Sequence, residues 1–526
     1  MLREIIDQWA VECPQRIAHQ HREQALTYSE LKQFSDALAV WIHEKLGEEQ
    51  EAHSPIVVYG HKENEMLVAF LACIKSGHPY VPVDTTVPLE RVRQIIEASG
   101  AKLLLSPQEV PEGLRKEGLV VQEKLSIHRS DRRYLGQAPA LEWQVGQEDV
   151  YYIIYTSGST GTPKGVQITL GALESYLNWV NTAYNPIAKK EVFLNQAPFS
   201  FDLSVMDLYM SLSTGGTLWS IDKAEIANLR EAFQSFSRSG VTIWVSTPSF
   251  AEICLMDKSF NATLLPELKH FLFCGEVLLH DTAAKLIERF PGAKVENLYG
   301  PTEATVAVTT VTVTPDILAT YNPLPVGQAK PDAQVLICDS EALDQAMQEA
   351  ELKHAPQNLP NGERGEIIIA GPNVSIGYLN NPEQTRKAFF SWQDEAGTIW
   401  QAYRTGDAGA FKGEQLFFYG RLDFQVKLHG YRIELGDIEE NLRKLPEVEN
   451  AVVLPIEKQG KVEYLQAFLT TTETVTEEFK TSQALKEALR QSLPDYMIPR
   501  RFTYVQTMPM TPNGKVDRRA LLGGIR

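Results

Sequence analysis

The sequence predicts an α/β protein: a large N-terminal domain of parallel-rich sheets, a small β-barrel-like subdomain at about residues 320–422, and a small α+β C-terminal domain. Three observations predict it. Through residues 25–310 short apolar runs alternate with segments of helical periodicity, as at Ile56-Val57-Val58-Tyr59 and then Met66-Leu67-Val68-Ala69-Phe70-Leu71. That is the grammar of βαβ units with strands buried on both faces. Past residue 320 the strand candidates crowd together with turns between them, and the last stretch of chain separates into a unit of its own.

In order along the chain, residues 1–9 read as an amphipathic helix broken by charges, not as a signal peptide. Strands are predicted at 55–59, 102–105, 150–155, 165–168, 192–194, 241–245 and 270–273. In the second region they fall at 334–338, 366–370 and 415–419, with 341–363 a polar helix-and-loop insertion ending in the turn signal Pro360-Asn361-Gly362. The C-terminal unit offers a helix starting at Asp437, strands at 450–454 and 464–469, and a helix over 482–492.

Composition narrows the function classes. The chain has 526 residues, of which 43% are hydrophobic, and no apolar run approaches the roughly 20 residues of a membrane helix. Fifty basic against 67 acidic residues give a net charge of −17, which disfavours nucleic acid and anionic membranes as partners. Five cysteines without a CxxC spacing argue against a disulfide framework or structural zinc, so a reducing cytoplasm and no membrane insertion are expected.

The densest chemistry lies in Tyr155-Thr156-Ser157-Gly158-Ser159-Thr160-Gly161-Thr162-Pro163-Lys164-Gly165, which holds three glycines, five Ser/Thr hydroxyls and a lysine. Glycines let backbone N–H groups approach an anion, hydroxyls add donors and Lys164 adds a point charge, so the loop is suited to phosphate. It is not a Walker loop, because Lys164 stands between Pro163 and Gly165. Strand patterns on both sides argue against a flexible linker.

Five further motifs follow in order: Asn297-Leu298-Tyr299-Gly300-Pro301-Thr302-Glu303, Tyr403-Arg404-Thr405-Gly406-Asp407, Gly420-Arg421-Leu422-Asp423, Gly430-Tyr431-Arg432-Ile433-Glu434 and Pro512-Asn513-Gly514-Lys515. With the phosphate loop, this series resembles the adenylate-forming superfamily of acyl-CoA synthetases, luciferases and nonribosomal-peptide adenylation domains. The resemblance implies two parallel-rich αβ sheets in a large domain over 1–422, a mobile small domain over 423–526, and a reaction in which a carboxylate attacks the α-phosphate of ATP with Mg²⁺ present. The acyl-adenylate then passes to a thiol.

The resemblance assigns ATP contacts to Thr156, Ser157, Gly158, Thr160 and Lys164, to Asn297, Leu298, Tyr299, Gly300, Pro301 and Thr302, and to Phe418, Tyr419 and Gly420. Asp407 and Arg421 fall to the ribose, since an ionised carboxylate accepts from two hydroxyls. Glu303 matches the Mg²⁺ ligand, against a reading as a helix-capping carboxylate. Lys515 is the expected catalytic cation between substrate carboxylate and α-phosphate, although a lone lysine is ordinarily a surface residue. Asp423 matches the hinge, and Gly430 the face that opens a pantetheine path.

The acid is addressed by Phe199-Ser200-Phe201-Asp202-Leu203-Ser204-Val205-Met206. In amino-acid-activating members this Asp pairs with the α-ammonium, which a closed pocket must neutralise. The plainer role for Asp202 is an N-cap on a helix over 203–212, and the two roles can coexist. Cys274, Val306 and Met206 would form the walls around a one-carbon side chain, unless Cys274 is only a core thiol. These segments are similar to the branch that loads D-alanine onto the phosphopantetheine of a separate carrier protein for teichoic-acid esterification. The insertion at 341–363 departs from that pattern. Another small amino acid (L-alanine, glycine, serine), an acyl- or aryl-CoA ligase and a silent nucleotide-binding regulator are the alternatives, and a monomer is expected.

Overall fold

The strand Ile243–Ser246 shows how the centre is built. Side chains alternate across a strand, so Trp244 enters one core with Phe236, Phe250, Phe260 and Phe271, whereas Ile243 and Val245 enter another with Met206, Leu272 and Tyr176. Trp244 stacks on Phe250 with centroids 5.6 Å apart. Its indole N–H donates to Ser246 Oγ at 2.8 Å, so the largest buried side chain leaves no polar atom unpaired.

We describe residues 2–47, 53–125, 134–158, 162–184, 190–347, 354–423, 425–458, 460–473, 475–510 and 516–523 of a computed structural model. The chain divides into two units, one of Met1–Asp84, Ser99–Ile154 and Gly165–Leu422, the other of Thr85–Ala98, Tyr155–Lys164 and Asp423–Arg526.

In the larger unit a nine-stranded sheet runs in the order Gln328–Ala329, Thr309–Thr312, Lys294–Tyr299, His270–Phe273, Ile243–Ser246, Val192–Asn195, Thr217–Ser220, Ile17–His21 and Gln24–Thr27. Its interior pairings are parallel and its outer ones antiparallel. A six-stranded sheet has the order Val120–Gln122, Leu103–Leu105, Ile56–Gly60, Tyr80–Asp84, Val150–Thr156, Lys164–Thr169, so the phosphate loop does join two strands. A five-stranded antiparallel sheet is centred on Ile399–Lys412, which pairs with Gly365–Ala370, Phe389–Gln393 and Gln415–Arg421.

The second unit has its own core, including Ile433, Ile438, Leu442, Val453, Leu465 and Leu489. It holds the helices Leu435–Arg443 and Glu478–Leu489, and the three strands Val448–Lys458, Lys461–Thr471 and Arg501–Tyr504. Its hairpin Gln425–Leu428/Tyr431–Glu434 turns through His429 and Gly430, both at positive φ (54° and 83°). Two positive-φ residues in a two-residue loop make a type I′ turn, which explains the glycine.

Several boundaries move. The helix expected at 482–492 runs Glu478–Leu489, and the one expected at 203–212 runs Leu203–Thr214. The insertion opens with the short helix Ser340–Ala346, whose Leu343 is buried beside Trp392 and Ile368.

Candidate active site

Register aligns the carboxyl ends of four parallel strands. Asn195 pairs with Val245, Ser246 with Phe273, and Phe273 with Asn297. The segments that leave these strands, 196–202, 247–249, 274–276 and 300–303, therefore share one edge of the sheet. That edge is where open α/β sheets take ligands.

Asp202 stands at the start of Leu203–Thr214 with αR backbone angles and makes no capping bond. Its carboxylate instead accepts a hydrogen bond from Thr302 Oγ1 at 2.7 Å, across 100 residues of sequence. The N-cap alternative is thereby removed: the side chain is turned towards the 300–303 turn. Met206 on the same helix is fully buried.

Cys274 is buried, and its thiol lies 3.4 Å from the Val306 carbonyl. Val306 and Thr305 both have positive φ, 69° and 54°, which for β-branched residues is strained backbone. The strained turn is held from outside by Thr305 Oγ1 donating to the Asn373 carbonyl at 2.7 Å. Gly300 is required beside it, because a Cβ there would come within 2.6 Å of Ala307 Cα.

Two tyrosines near these groups were not legible in the sequence. Burial pushes the Tyr152 phenol well above its usual range, and the charges of Tyr80 and Asp202 add to the shift. Tyr176 is raised by burial and then by Cys274. Both hydroxyls are buried without a hydrogen-bond partner among the described residues, so the environment of Asp202 and Cys274 includes polar atoms whose bonding is unmet. No local motif marks either tyrosine.

A second cluster surrounds Asp407 on the long strand of the antiparallel sheet. Asp407 accepts from Tyr299 Oη at 2.5 Å and from Arg421 Nη1 at 2.7 Å. Burial, with the Asp407 charge behind it, raises the Tyr299 phenol well above its usual range, so it stays a neutral donor. Phe418 lies 5.9 Å from the Tyr299 ring, whereas Tyr419, on the other face of its strand, lies under the Arg364 guanidinium at 4.0 Å. Gly420 has φ 99°. Asn297 donates from Nδ2 to the Pro325 carbonyl, while Leu298 and Pro301 are buried.

Glu303 is fully buried in the short turn Thr302–Ala304 and accepts from Tyr378 Oη at 2.7 Å. A buried carboxylate oriented by a hydroxyl has the chemistry to serve as the single protein ligand of a Mg²⁺ ion that also binds phosphate oxygens.

Thr156, Ser157, Gly158 and Lys164 belong to the second unit. There Ser157 Oγ donates to the Arg432 carbonyl at 2.9 Å and accepts from the Glu434 N–H at 3.0 Å, and Lys164 reaches the Glu434 carboxylate at 3.4 Å. Gly158 is needed because a Cβ would meet the Thr162 carbonyl at 2.0 Å. Asp423, the first residue of the last segment of this unit, accepts from the Gln425 N–H at 3.1 Å. Thr160 and Lys515 lie outside the described residues.

Comparison with known proteins places the whole chain. Residues 6–379 match the AMP-binding enzyme family and residues 437–515 the AMP-binding enzyme C-terminal domain. A D-alanine–D-alanyl carrier protein ligase of Bacillus cereus (strain AH187) is 49% identical over 525 residues, covering 100% of this chain and 99% of the relative. The ligase of the same name from Bacillus mycoides (strain KBAB4) is 49% identical over 531 residues, with the same coverage. Among solved structures, holo-PA1221, a nonribosomal peptide synthetase protein containing adenylation and PCP domains, superposes with a TM-score of 0.78 at 26% identity, covering 99% of this chain and 84% of that one. The Vibrio cholerae adenylation domain AlmE, solved with glycyl-adenosine-5'-phosphate, has the same fold with a TM-score of 0.78 at 22% identity, covering 99% and 97%. With both family segments matched in order and relatives near half-identical from end to end, the chain belongs to the AMP-binding enzyme family.

Proposed function

We propose that the protein is an ATP-dependent ligase that activates D-alanine as its adenylate and transfers it to the phosphopantetheine thiol of a separate carrier protein, for D-alanylation of teichoic acids. The observation that carries the reading is Asp202, a carboxylate not spent on capping its helix, in a chain 49% identical throughout to D-alanine–D-alanyl carrier protein ligases.

In this reading the substrate ammonium meets Asp202, whose charge offsets the desolvation a closed pocket imposes. Thr302 orients that carboxylate. Cys274, Met206 and the strained Val306 serve as the walls around a one-carbon side chain. Tyr299 offers its ring to adenine, and Asp407, steadied by Arg421, accepts from the ribose hydroxyls. Thr156, Ser157, Gly158, Thr160 and Lys164 grip the outer phosphates, so Lys164 exchanges Glu434 for pyrophosphate. Glu303 would hold Mg²⁺, which supplies charge neutralisation on the phosphates when bound. Lys515 brings its ammonium between the two anions that must react. Asp423 is the hinge at which 423–526 turns against 1–422 to expose the Gly430 face to pantetheine. The protein acts as a monomer in the cytoplasm; among the described residues no helix is long and apolar enough to cross a membrane.

Incubation with ATP, D-alanine and a phosphopantetheinylated carrier protein tests the second half of the reading. The intact mass of the carrier should rise by one alanyl group. Transfer to coenzyme A but not to the carrier would favour the CoA-ligase alternative.

A further inference from the structure

Behind the segment that carries Asp202 lies a buried charge that none of the steps above uses. Lys62, in the turn after the strand Ile56–Gly60 of the six-stranded sheet, is fully buried. Its ammonium donates to Asn195 Oδ1, at the end of a strand of the nine-stranded sheet, and to the Ala197 carbonyl. It also lies 4.7 Å from the centre of the Phe199 ring.

Asn195 completes the arrangement. Its Nδ2 donates to the Ala197 carbonyl at 3.2 Å and to Asp207 Oδ1 at 2.9 Å, while its Oδ1 also accepts from Ser220 Oγ at 2.8 Å. Ser220 in turn is hydrogen-bonded to His19 Nε2 at 2.8 Å. Asp207, fully buried on the helix Leu203–Thr214, keeps Oδ2 without a hydrogen-bond partner among the described residues. Burial lowers the Lys62 ammonium to about 8, against the raising charges of Asp207, Asp84 and Asp222.

A buried, charged lysine is an expensive way to fill space, since an apolar residue of similar volume serves packing as well or better. What an ammonium does, and a methyl group cannot, is fix acceptors. The acceptors here bracket Asp202: Asn195 and Ala197 precede it, and Asp207, linked through Asn195, follows it on the helix Leu203–Thr214.

We infer that Lys62 is a positioning residue for the amino-acid pocket, clamping the ends of the 195–207 segment so that Asp202 is held ready for the substrate ammonium. The inference rests on the reading of Asp202 given above. It makes the affinity for the amino acid depend on a residue of the other sheet.

The test is ATP–pyrophosphate exchange by the full-length Lys62→Met/Asp207→Asn double variant, which removes both buried titratable groups together. Wild type is first assayed with D-alanine, L-alanine, glycine and serine, and the variants with whichever it activates. A wrong acid therefore shows in wild type, and a wrong role for Lys62 only in the ratio of variant to wild type. The double variant should melt near the wild type, with KM for the amino acid raised about tenfold and KM for ATP changed less than about twofold. An amino-acid KM within about twofold of wild type in the folded double variant overturns the proposal. If that variant does not fold, Ser220→Ala, which removes one bond to Asn195 and leaves Lys62 and Asp207 in place, should raise KM for the amino acid about threefold at constant KM for ATP; no change overturns the proposal.

Discussion

At Asp202 the important fact is a direction. A helix-start Asp ordinarily turns back to bond the N–H groups of the first turn, and this one bonds Thr302 instead. Asp202→Asn should lower kcat/KM for the amino acid by about a hundredfold or more, the cost of leaving a buried ammonium unpaired. ATP binding should be unchanged, as measured by exchange at saturating amino acid and by nucleotide titration. Cys274→Ala should admit a larger side chain, raising exchange with 2-aminobutyrate several-fold relative to alanine. The sequence made Asp202, Cys274, Tyr299 and Asp407 legible because each lies in a contiguous motif. The resemblance gives Thr302 to the nucleotide and no motif gives its bond to Asp202, and none marks Tyr152, Tyr176 or Lys62. Their significance lies in contacts between residues far apart in the chain, for which no local pattern exists.

Elements were legible where their burial was simple. Strands buried on both faces, such as Ile56–Gly60 and His270–Phe273, are continuous apolar runs and fell where expected. The outer pair Ile17–His21 and Gln24–Thr27 was missed, since His19, Gln20, His21 and Gln24 interrupt any apolar pattern. The early start of Glu478–Leu489 was missed as well, its first turn being solvated with Phe479 exposed. One element carries a pH prediction. Asp222 caps the helix Lys223–Ala227 through Ala224 N and Glu225 N, with Glu225 returning a bond to its N–H, and it pairs with Arg22 at 2.5 Å. Burial alone would raise its carboxyl, but the bonds from Arg22, the Glu225 N–H and His21 outweigh that and hold it below 3.8. A depressed folded value means the stabilisation is present above the ordinary carboxyl pKa and is lost as the pH falls below it. Asp222→Ala should therefore cost about 1–2 kcal/mol at pH 7. Urea unfolding should show the gap between variant and wild type closing as the pH drops below about 4.

At the scale of the whole molecule, the order of motifs was legible and the order of strands was not. Six motifs in series named the family, but the nine-stranded sheet interleaves strands from residues 17 to 329, and such crossovers leave no mark on local sequence. The boundary between Leu422 and Asp423 divides a unit with the pocket residues from one with its own core. If the C-terminal domain turns at Asp423, Asp423→Pro should retain one half-reaction, adenylation or thioester transfer, and lose the other, because proline restricts the backbone change a hinge must make. Equal loss of both in a folded protein would remove the hinge from the account. Lys515→Ala should abolish adenylation while ATP still binds, checked by exchange alongside nucleotide titration.

In the proposed function the Asp202 pocket takes a small amino acid, D-alanine. The decisive measurement is ATP–pyrophosphate exchange across D-alanine, L-alanine, glycine, serine, a fatty acid and an aryl acid. Exchange should be strongest with D-alanine and absent with the acids that lack an ammonium; exchange with a fatty or aryl acid and with no amino acid would rule out an amino-acid pocket at Asp202.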